Sequence, residues 1–241
     1  NGYDKVSKKQ LGLQLGYAAD FKTYDELFDA FKKQMKYFID VKIQGSNIIE
    51  KIFADCMPAP FLSILTNDCI AKGKDYNAGG ARYNTKYLQG VGIGTITDCL
   101  AAVKYNVYDK KNFTMDELMA ALDDNFIGHE RILNLVKNHS PKYGNDDEYA
   151  DEIMKQVFEY YQGEVTGRPN MLGGMYRVNM LPTTCHVYFG EVMMASANGR
   201  LAHVPVSEGI SPEKGADVNG PTAVIKSCAK MDHLMTGGTL L

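Results

Sequence analysis

Three kinds of residue in this 241-residue chain have types and spacing that could do chemistry: a run of glycines, a cluster of acids, and scattered thiols and imidazoles. The glycine run is Gly90-Val91-Gly92-Ile93-Gly94-Thr95. A dinucleotide-binding turn needs G-x-G-x-x-G after a buried apolar strand, so that the backbone can approach a pyrophosphate at a helix start. Thr95 stands where the last glycine belongs, and Thr85-Lys86-Tyr87-Leu88-Gln89 is not such a strand. These glycines are better read as close-packing positions, where a helix start presses on a neighbouring element. Asn145-Asp146-Asp147-Glu148 resembles a cation loop, but the glycine and distant glutamate of an EF-hand are missing. Its acids suit the first turn of a helix, with Asn145 or Asp146 as the cap.

The five histidines include no pair at i, i+4 spacing, so no metal site is expected. His186, in Leu181-Pro182-Thr183-Thr184-Cys185-His186, sits among apolar neighbours and is read as a satisfied core residue. Cys185 and Cys228 would need a depressed pKa or an adjacent base to act as nucleophiles, and nothing local supplies one. Structural packing is expected of all five cysteines, Cys56, Cys69, Cys99, Cys185 and Cys228. Their odd number and wide spacing argue against a disulfide framework.

Composition narrows the function classes. With 45% hydrophobic residues the chain can bury a core, and its net charge of -3 comes from acids and bases spread without long blocks. No basic footprint for a nucleic acid or an anionic membrane is present. No apolar run approaches the roughly 20 residues that span a bilayer, and Asn1–Gln10 has no signal-peptide core, so a cytoplasmic location is expected. The first residue is not Met and the last are Gly237-Gly238-Thr239-Leu240-Leu241, in mid-pattern; a piece of a longer chain is expected.

Thr23-Tyr24-Asp25-Glu26 and Thr114-Met115-Asp116-Glu117 are capping boxes, in which the threonine accepts from the first turn while the glutamate reaches back. The first predicts a long helix through Leu27, Phe28, Phe31, Met35, Phe38 and Ile39 toward Cys56, disturbed near Gly45-Ser46 and ended by Pro58 and Pro60. A second helix is predicted over 61–72, closed by Gly73. Residues 81–104 read as strand, loop and helix; further helices are predicted to about 124, over 126–138 and over 147–164. Tyr176, Val178 and Met180, then Val187 and Phe189, read as strands, with a turn at Asn198-Gly199-Arg200. The whole is α/β with mixed character.

The stretch Pro205–Lys230, PVSEGISPEKGADVNGPTAVIKSCAK, crowds glycine, proline and small polar residues beside apolar ones such as Thr222-Ala223-Val224-Ile225. That composition suits an ordered loop system forming a functional wall, not a linker. Together with Gly79-Gly80-Ala81-Arg82-Tyr83-Asn84, the glycine run and Pro141-Lys142-Tyr143-Gly144-Asn145-Asp146-Asp147, it resembles the glycyl radical enzymes, in their dehydratase and pyruvate formate-lyase-like branch. The resemblance implies a barrel of two five-stranded half-sheets wrapped by helices, of which residues 1–241 would be one interior part of a single domain, without the reactive-cysteine loop and the C-terminal glycyl radical domain. The family's reactive cysteine lies in Gly-Cys-x-Glu and its radical glycine in Arg-Val-x-Gly-Tyr; neither string occurs here, so no catalytic residue is assigned and the segment alone is expected to be inactive.

Met180-Leu181-Pro182-Thr183-Thr184-Cys185-His186 and Ser227-Cys228-Ala229-Lys230-Met231-Asp232-His233 are most similar to members that take water from a hydroxylated proline. Members acting on glycerol, propanediol or choline, or a non-catalytic structural module, are the alternatives. The resemblance implies a thiyl radical that removes a hydrogen atom from the ring carbon beside nitrogen, followed by loss of the neighbouring hydroxyl as water. It implies a post-translational glycyl radical on a glycine outside this chain, no metal or soluble cofactor in this segment, a separate radical S-adenosylmethionine activating enzyme, and a homodimer in anaerobic cytoplasm. Thr183 is the expected substrate contact, because its hydroxyl can both donate to and accept from a small polar ligand.

Overall fold

The structure is a computed structural model that describes residues 2–239; Leu240 and Leu241, part of the mid-pattern ending noted above, lie outside the described residues. It opens with a two-residue antiparallel pairing of β1 (Tyr3–Asp4) and β2 (Lys9–Gln10), then runs into α1 (Tyr24–Cys56), 33 residues and roughly 50 Å long. The capping box forms as the sequence predicts: Glu26 N–H donates to Thr23 Oγ1 at 3.2 Å and the Glu26 carboxylate accepts from Thr23 N–H. No disturbance appears at Gly45-Ser46. A β-carbon on Gly45 would meet nothing, so the glycine costs only its intrinsic helix propensity, about 1 kcal/mol, and the helix runs through it.

The helix expected over 61–72 is two short ones, α2 (Pro60–Leu65) and α3 (Cys69–Lys72), separated by Asp68 at φ 76°. Thr66, Asn67 and Asp68 are residues whose side chains compete with the helical backbone. Asp68 is held in its left-handed conformation by a bidentate pair with Arg82 at 2.7 and 3.1 Å.

The strand, loop and helix unit is present as β3 (Lys86–Gln89) and α4 (Ile93–Val103), the latter continued by a wide turn over Lys104–Asp109. The second capping box opens α5 (Met115–Asp123), and α6 (Glu130–Asn138) starts four residues later than predicted. Asn125 and Phe126 adopt positive φ, and Gly128 follows, which keeps residues 125–129 out of the helix. α7 (Glu148–Val165) is capped by Asp147, whose carboxylate takes Tyr149 N–H at 3.0 Å. Asn145 and Asp146, the caps expected from sequence, are engaged elsewhere.

β4 (Tyr176–Met180) alternates buried and half-buried residues as predicted and is the centre of a parallel sheet, β3-β4-β5, with β5 at Thr236–Thr239. Val187 and Phe189 belong not to a strand but to α8 (Cys185–Val192). A short apolar run is compatible with either period, and here the preceding Pro182-Thr183-Thr184 supplies a helix start. The last helix, α9 (Pro221–Ala229), begins with proline at its first position.

The main core packs α4 and α7 over the sheet: Leu100, Met154, Val157 and Phe158 meet Tyr176, Val178 and Met180, joined by Phe28, Ile39 and Ile43 from the first two-thirds of α1. A smaller core gathers Val103, Phe113, Leu118, Phe126 and Val136 under α5 and α6. The end of α1 is different, for Ile48, Ile49, Ile52 and Phe53 are all exposed there, as are Phe61, Leu65 and Ile70 beyond it. Cys69 and Cys228 are buried as expected, but Cys56 and Cys185 are exposed, a departure from the packing role assigned to all five. Cys56 ends α1 beside that uncovered apolar face, and Cys185 opens α8, so neither is enclosed by the two cores.

Candidate functional site

One cavity, about 750 Å³, is walled by α4, the end of α6 and the chain from Asn198 to Ala216, the heart of the loop system singled out in the sequence. This loop touches two rigid ends at once. Ser207 caps α4 from a distance: Thr95 N–H donates to Ser207 Oγ at 3.0 Å, and Ser207 N–H donates to Thr95 Oγ1 at 2.8 Å. That satisfies an orphan donor that Gly92, at the cap position, has no side chain to meet. Gly94 lies against the same loop, and a β-carbon there would fall 2.7 Å from Glu213 N and 2.8 Å from Ser211 O. The glycine run is thus a close-approach site, as its spacing suggested. At the other end, Gly209 lies against the carbonyls of Met180 and Leu181, where β4 finishes.

The ionisable groups of the cavity wall that sequence reasoning did not single out include Asp98, Lys142, Arg200 and Glu213. Asp98 is the one charged residue in the apolar run of α4, and that contrast was the available signal; it is wholly buried. Its Oδ1 accepts Tyr143 N–H at 2.9 Å, while its Oδ2 has no partner. Burial drives its carboxyl up to about 7, against the pull of Lys142 and the Tyr143 hydrogen bond and with some help from Glu213 and Asp151. Burial likewise raises Glu213, whose carboxylate accepts the Thr95 hydroxyl. Arg200 is spent on main-chain carbonyls, donating to Met194 O at 2.5 Å, Val204 O at 2.6 Å and Leu201 O at 3.1 Å, and burial lowers its pKa. Lys142 is similarly engaged, at 2.8 Å from Val136 O and 3.3 Å from Asn198 O. The two cations therefore brace loops, and the group with free capacity is Asp98, able to hold a proton on Oδ2 near neutrality.

A pH signature follows. Below about pH 7 folded Asp98 keeps a proton that the unfolded chain releases above about pH 4, so its contribution to stability falls as pH rises through that window and is constant above it. In Asp98→Asn this dependence vanishes. The wild-type minus variant difference in thermal midpoint of the full-length protein should drop between about pH 4 and about pH 7, by an amount set by on the order of 4 kcal/mol at most. A difference that stays constant would contradict the buried neutral carboxyl.

Thr183 lies just past β4, half-buried and outside the cavity lining. Its Oγ1 accepts Cys185 N–H at 3.3 Å, and its carbonyl accepts from His186 Nδ1 at 2.5 Å, which places the imidazole proton on that nitrogen. His186 is not a core residue sealed among apolar side chains: it lines the cavity, with Nε2 3.8 Å from the Glu208 carboxylate. Thr183 and the cavity thus share one hinge of chain, the start of α8.

Residues 1–190 match the family model described as pyruvate formate lyase-like. The chain belongs to that family. Residues 206–241 match a second model, glycine radical. Among curated relatives, the pyruvate formate lyase-like chain is 68% identical over 241 residues to trans-4-hydroxy-L-proline dehydratase of Clostridioides difficile, covering 100% of this chain and 30% of that protein. It is 36% identical to (2S)-3-sulfopropanediol dehydratase of Klebsiella oxytoca, over 97% of this chain and 29% of the relative.

Solved structures agree. The Clostridioides difficile hydroxyproline dehydratase, with trans-4-hydroxy-L-proline bound, superposes with TM-score 0.97 at 68% identity over 100% of this chain and 30% of the other. The B12-independent glycerol dehydratase of Clostridium butyricum gives 0.91 at 38% identity, over 97% of this chain and 29% of the other. The fold is accordingly a part of the glycyl radical enzyme barrel, and the chain spans about 30% of the length of the relatives it matches.

Proposed function

We propose that this chain is part of a glycyl radical dehydratase that removes water from trans-4-hydroxy-L-proline to leave a pyrroline carboxylate. The observation that carries the reading is the gap between 68% identity to the hydroxyproline enzyme and 36–38% to dehydratases of sulfopropanediol and glycerol, on a common scaffold. A glycyl radical supplies hydrogen-atom abstraction through a cysteine thiyl. Neither the Gly-Cys-x-Glu nor the Arg-Val-x-Gly-Tyr string is in residues 1–241, so in this reading this part of the barrel supplies wall and not catalytic centre. Its own work is to shape and close the pocket against water and stray hydrogen donors, which radical intermediates require.

Thr183 is the substrate contact in this reading. Its Oγ1 already accepts Cys185 N–H, which fixes the side chain and leaves its proton free for a ligand carboxylate or hydroxyl. The whole enzyme acts as a homodimer in anaerobic cytoplasm, its radical installed by a separate S-adenosylmethionine-dependent activating enzyme, since oxygen quenches such a radical.

The test uses full-length protein activated without oxygen and offered trans-4-hydroxy-L-proline, glycerol, propane-1,2-diol and choline in parallel. Pyrroline carboxylate should form from the first and nothing from the others. Thr183→Val should raise KM for hydroxyproline about tenfold, the worth of one hydrogen bond to a charged or polar ligand group. Turnover of another substrate in its place, or an unchanged KM, would overturn respectively the substrate and the contact.

A further inference from the structure

The loop from Val206 to Gly220 contains neither helix nor strand, yet it lines the cavity and seats Gly209 on the end of β4. Something outside it must hold it, and the contacts converge on four consecutive residues between α6 and α7. The Tyr143 hydroxyl, on a fully buried ring, donates to Ile210 O at 2.9 Å; with its proton used there, Cys228, whose Sγ is 3.1 Å away, is left as the donor to the phenol oxygen. Gly144, at φ 95°, lies flat on Pro212, whose Cβ would be 2.8 Å from any added β-carbon. Asn145 Nδ2 donates to Ala216 O at 2.8 Å, while its Oδ1 accepts Val218 N–H at 2.8 Å and Asn219 N–H at 3.1 Å. Asp146 N–H donates to Ser227 Oγ at 2.9 Å, and its carboxylate pairs with Lys226 at 3.0 Å.

Apart from the Tyr143 contact with Cys228, the order is collinear: 143 takes 210, 144 takes 212, 145 takes 216, 218 and 219, and 146 takes 226 and 227. The string itself is fixed to the rigid body on both sides, by Tyr143 N–H on Asp98 and by Asp147 capping α7. We propose that Tyr143-Gly144-Asn145-Asp146 is a latch that sets the register of the glycine-radical-matched segment on the pyruvate formate lyase-like body, and that Tyr143 and Asn145 are positioning residues for the dehydration. The second half of this statement rests on the function proposed above; the first does not.

Hydrogen exchange and kinetics on the full-length protein separate the two. In Asn145→Ala, the amides of residues 218 and 219, which donate to its side chain, should exchange about tenfold faster, as expected when the hydrogen bonds that order a loop are lost, with α7 amides unchanged. Asn145→Asp keeps the acceptor for residues 218 and 219 and should fall between. Tyr143→Phe should loosen residues 207–212 in the same way. In activated enzyme, kcat should fall about tenfold in Asn145→Ala and Tyr143→Phe, with KM for trans-4-hydroxy-L-proline and glycyl radical content by electron paramagnetic resonance within twofold of wild type. Unchanged exchange over 207–219, or faster exchange spread evenly over the whole protein, refutes the latch. Local loosening with kcat unaltered refutes the positioning role alone. If the wild type does not turn over hydroxyproline, the substrate assignment falls while the exchange result still decides the latch.

Discussion

Gly209→Ala is expected to abolish most of the activity of the full-length enzyme and to destabilise it by about 3 kcal/mol or more, the upper range for overpacking a rigid site. A β-carbon at this buried position would sit on the Met180 carbonyl, far inside contact distance, and 2.7 Å from Leu181 O. Neither obstacle is the far end of a flexible side chain. Both are backbone atoms, Met180 within the central strand of the sheet and Leu181 immediately after it. The loop therefore has to retreat, and with it the wall that meets the start of α8, where Val206 N–H donates to His186 O at 3.3 Å. A displacement near 1 Å at such a place costs on the order of a hundredfold in turnover. Gly215→Ala is the matched control: nothing lies within 4 Å of its β-carbon position, and only its φ of 78° is strained by the substitution. It should lose roughly 1–2 kcal/mol and little activity. Equal effects of the two variants on kcat/KM would show that the close approach at Gly209 does not position the wall.

How far this arrangement could be read beforehand depends on whether the information was local. Thr23 and Thr114 announce their helices because a capping box is a contact among four successive residues. The glycine run reads as a packing device, and residues 205–220 as ordered loop, because each carries its composition on its face; the rest of that stretch, expected to be loop as well, is the helix α9 (Pro221–Ala229), whose proline sits at the first helical position, where it is tolerated. The split at Asp68 was not legible, since it depends on a salt bridge to Arg82 that only the folded chain brings together. The same holds for the cavity: Lys142 and Arg200 are ordinary surface-type residues in sequence and become half-buried and buried braces only through carbonyls of Val136, Asn198, Met194 and Val204. Thr183, expected from sequence to touch substrate, lies outside the cavity lining, at the start of α8. Asn145-Asp146-Asp147 was read as one capping cluster. Its members divide the labour: Asp147 caps, and the two before it reach a segment some seventy to eighty residues downstream.

The second large effect is expected at Asp151, because it anchors the far end of that segment from the core side. Its side chain is wholly buried on α7 and accepts from Ser227 Oγ and Lys230 Nζ, both at 2.8 Å. Lys230 also holds Glu148 at 2.7 Å and is partly exposed, so deleting Asp151 does not strand a buried cation, and the full 3–5 kcal/mol of a broken buried pair is not reached. Ser227 has no such escape. It is fully buried, accepts Asp146 N–H, and would be left with a hydroxyl proton and no acceptor. Asp151→Ala should therefore cost about 2–3 kcal/mol, read as loss of hydrogen-exchange protection in α9, and Asp151→Asn less, since its carbonyl oxygen can still accept. Ser227→Ala removes the same donor, so the double variant should cost well under the sum of the two singles, a coupling of about 1 kcal/mol or more. Strict additivity would mean that Ser227 and Asp151 act separately, and that α9 is held by its apolar face alone.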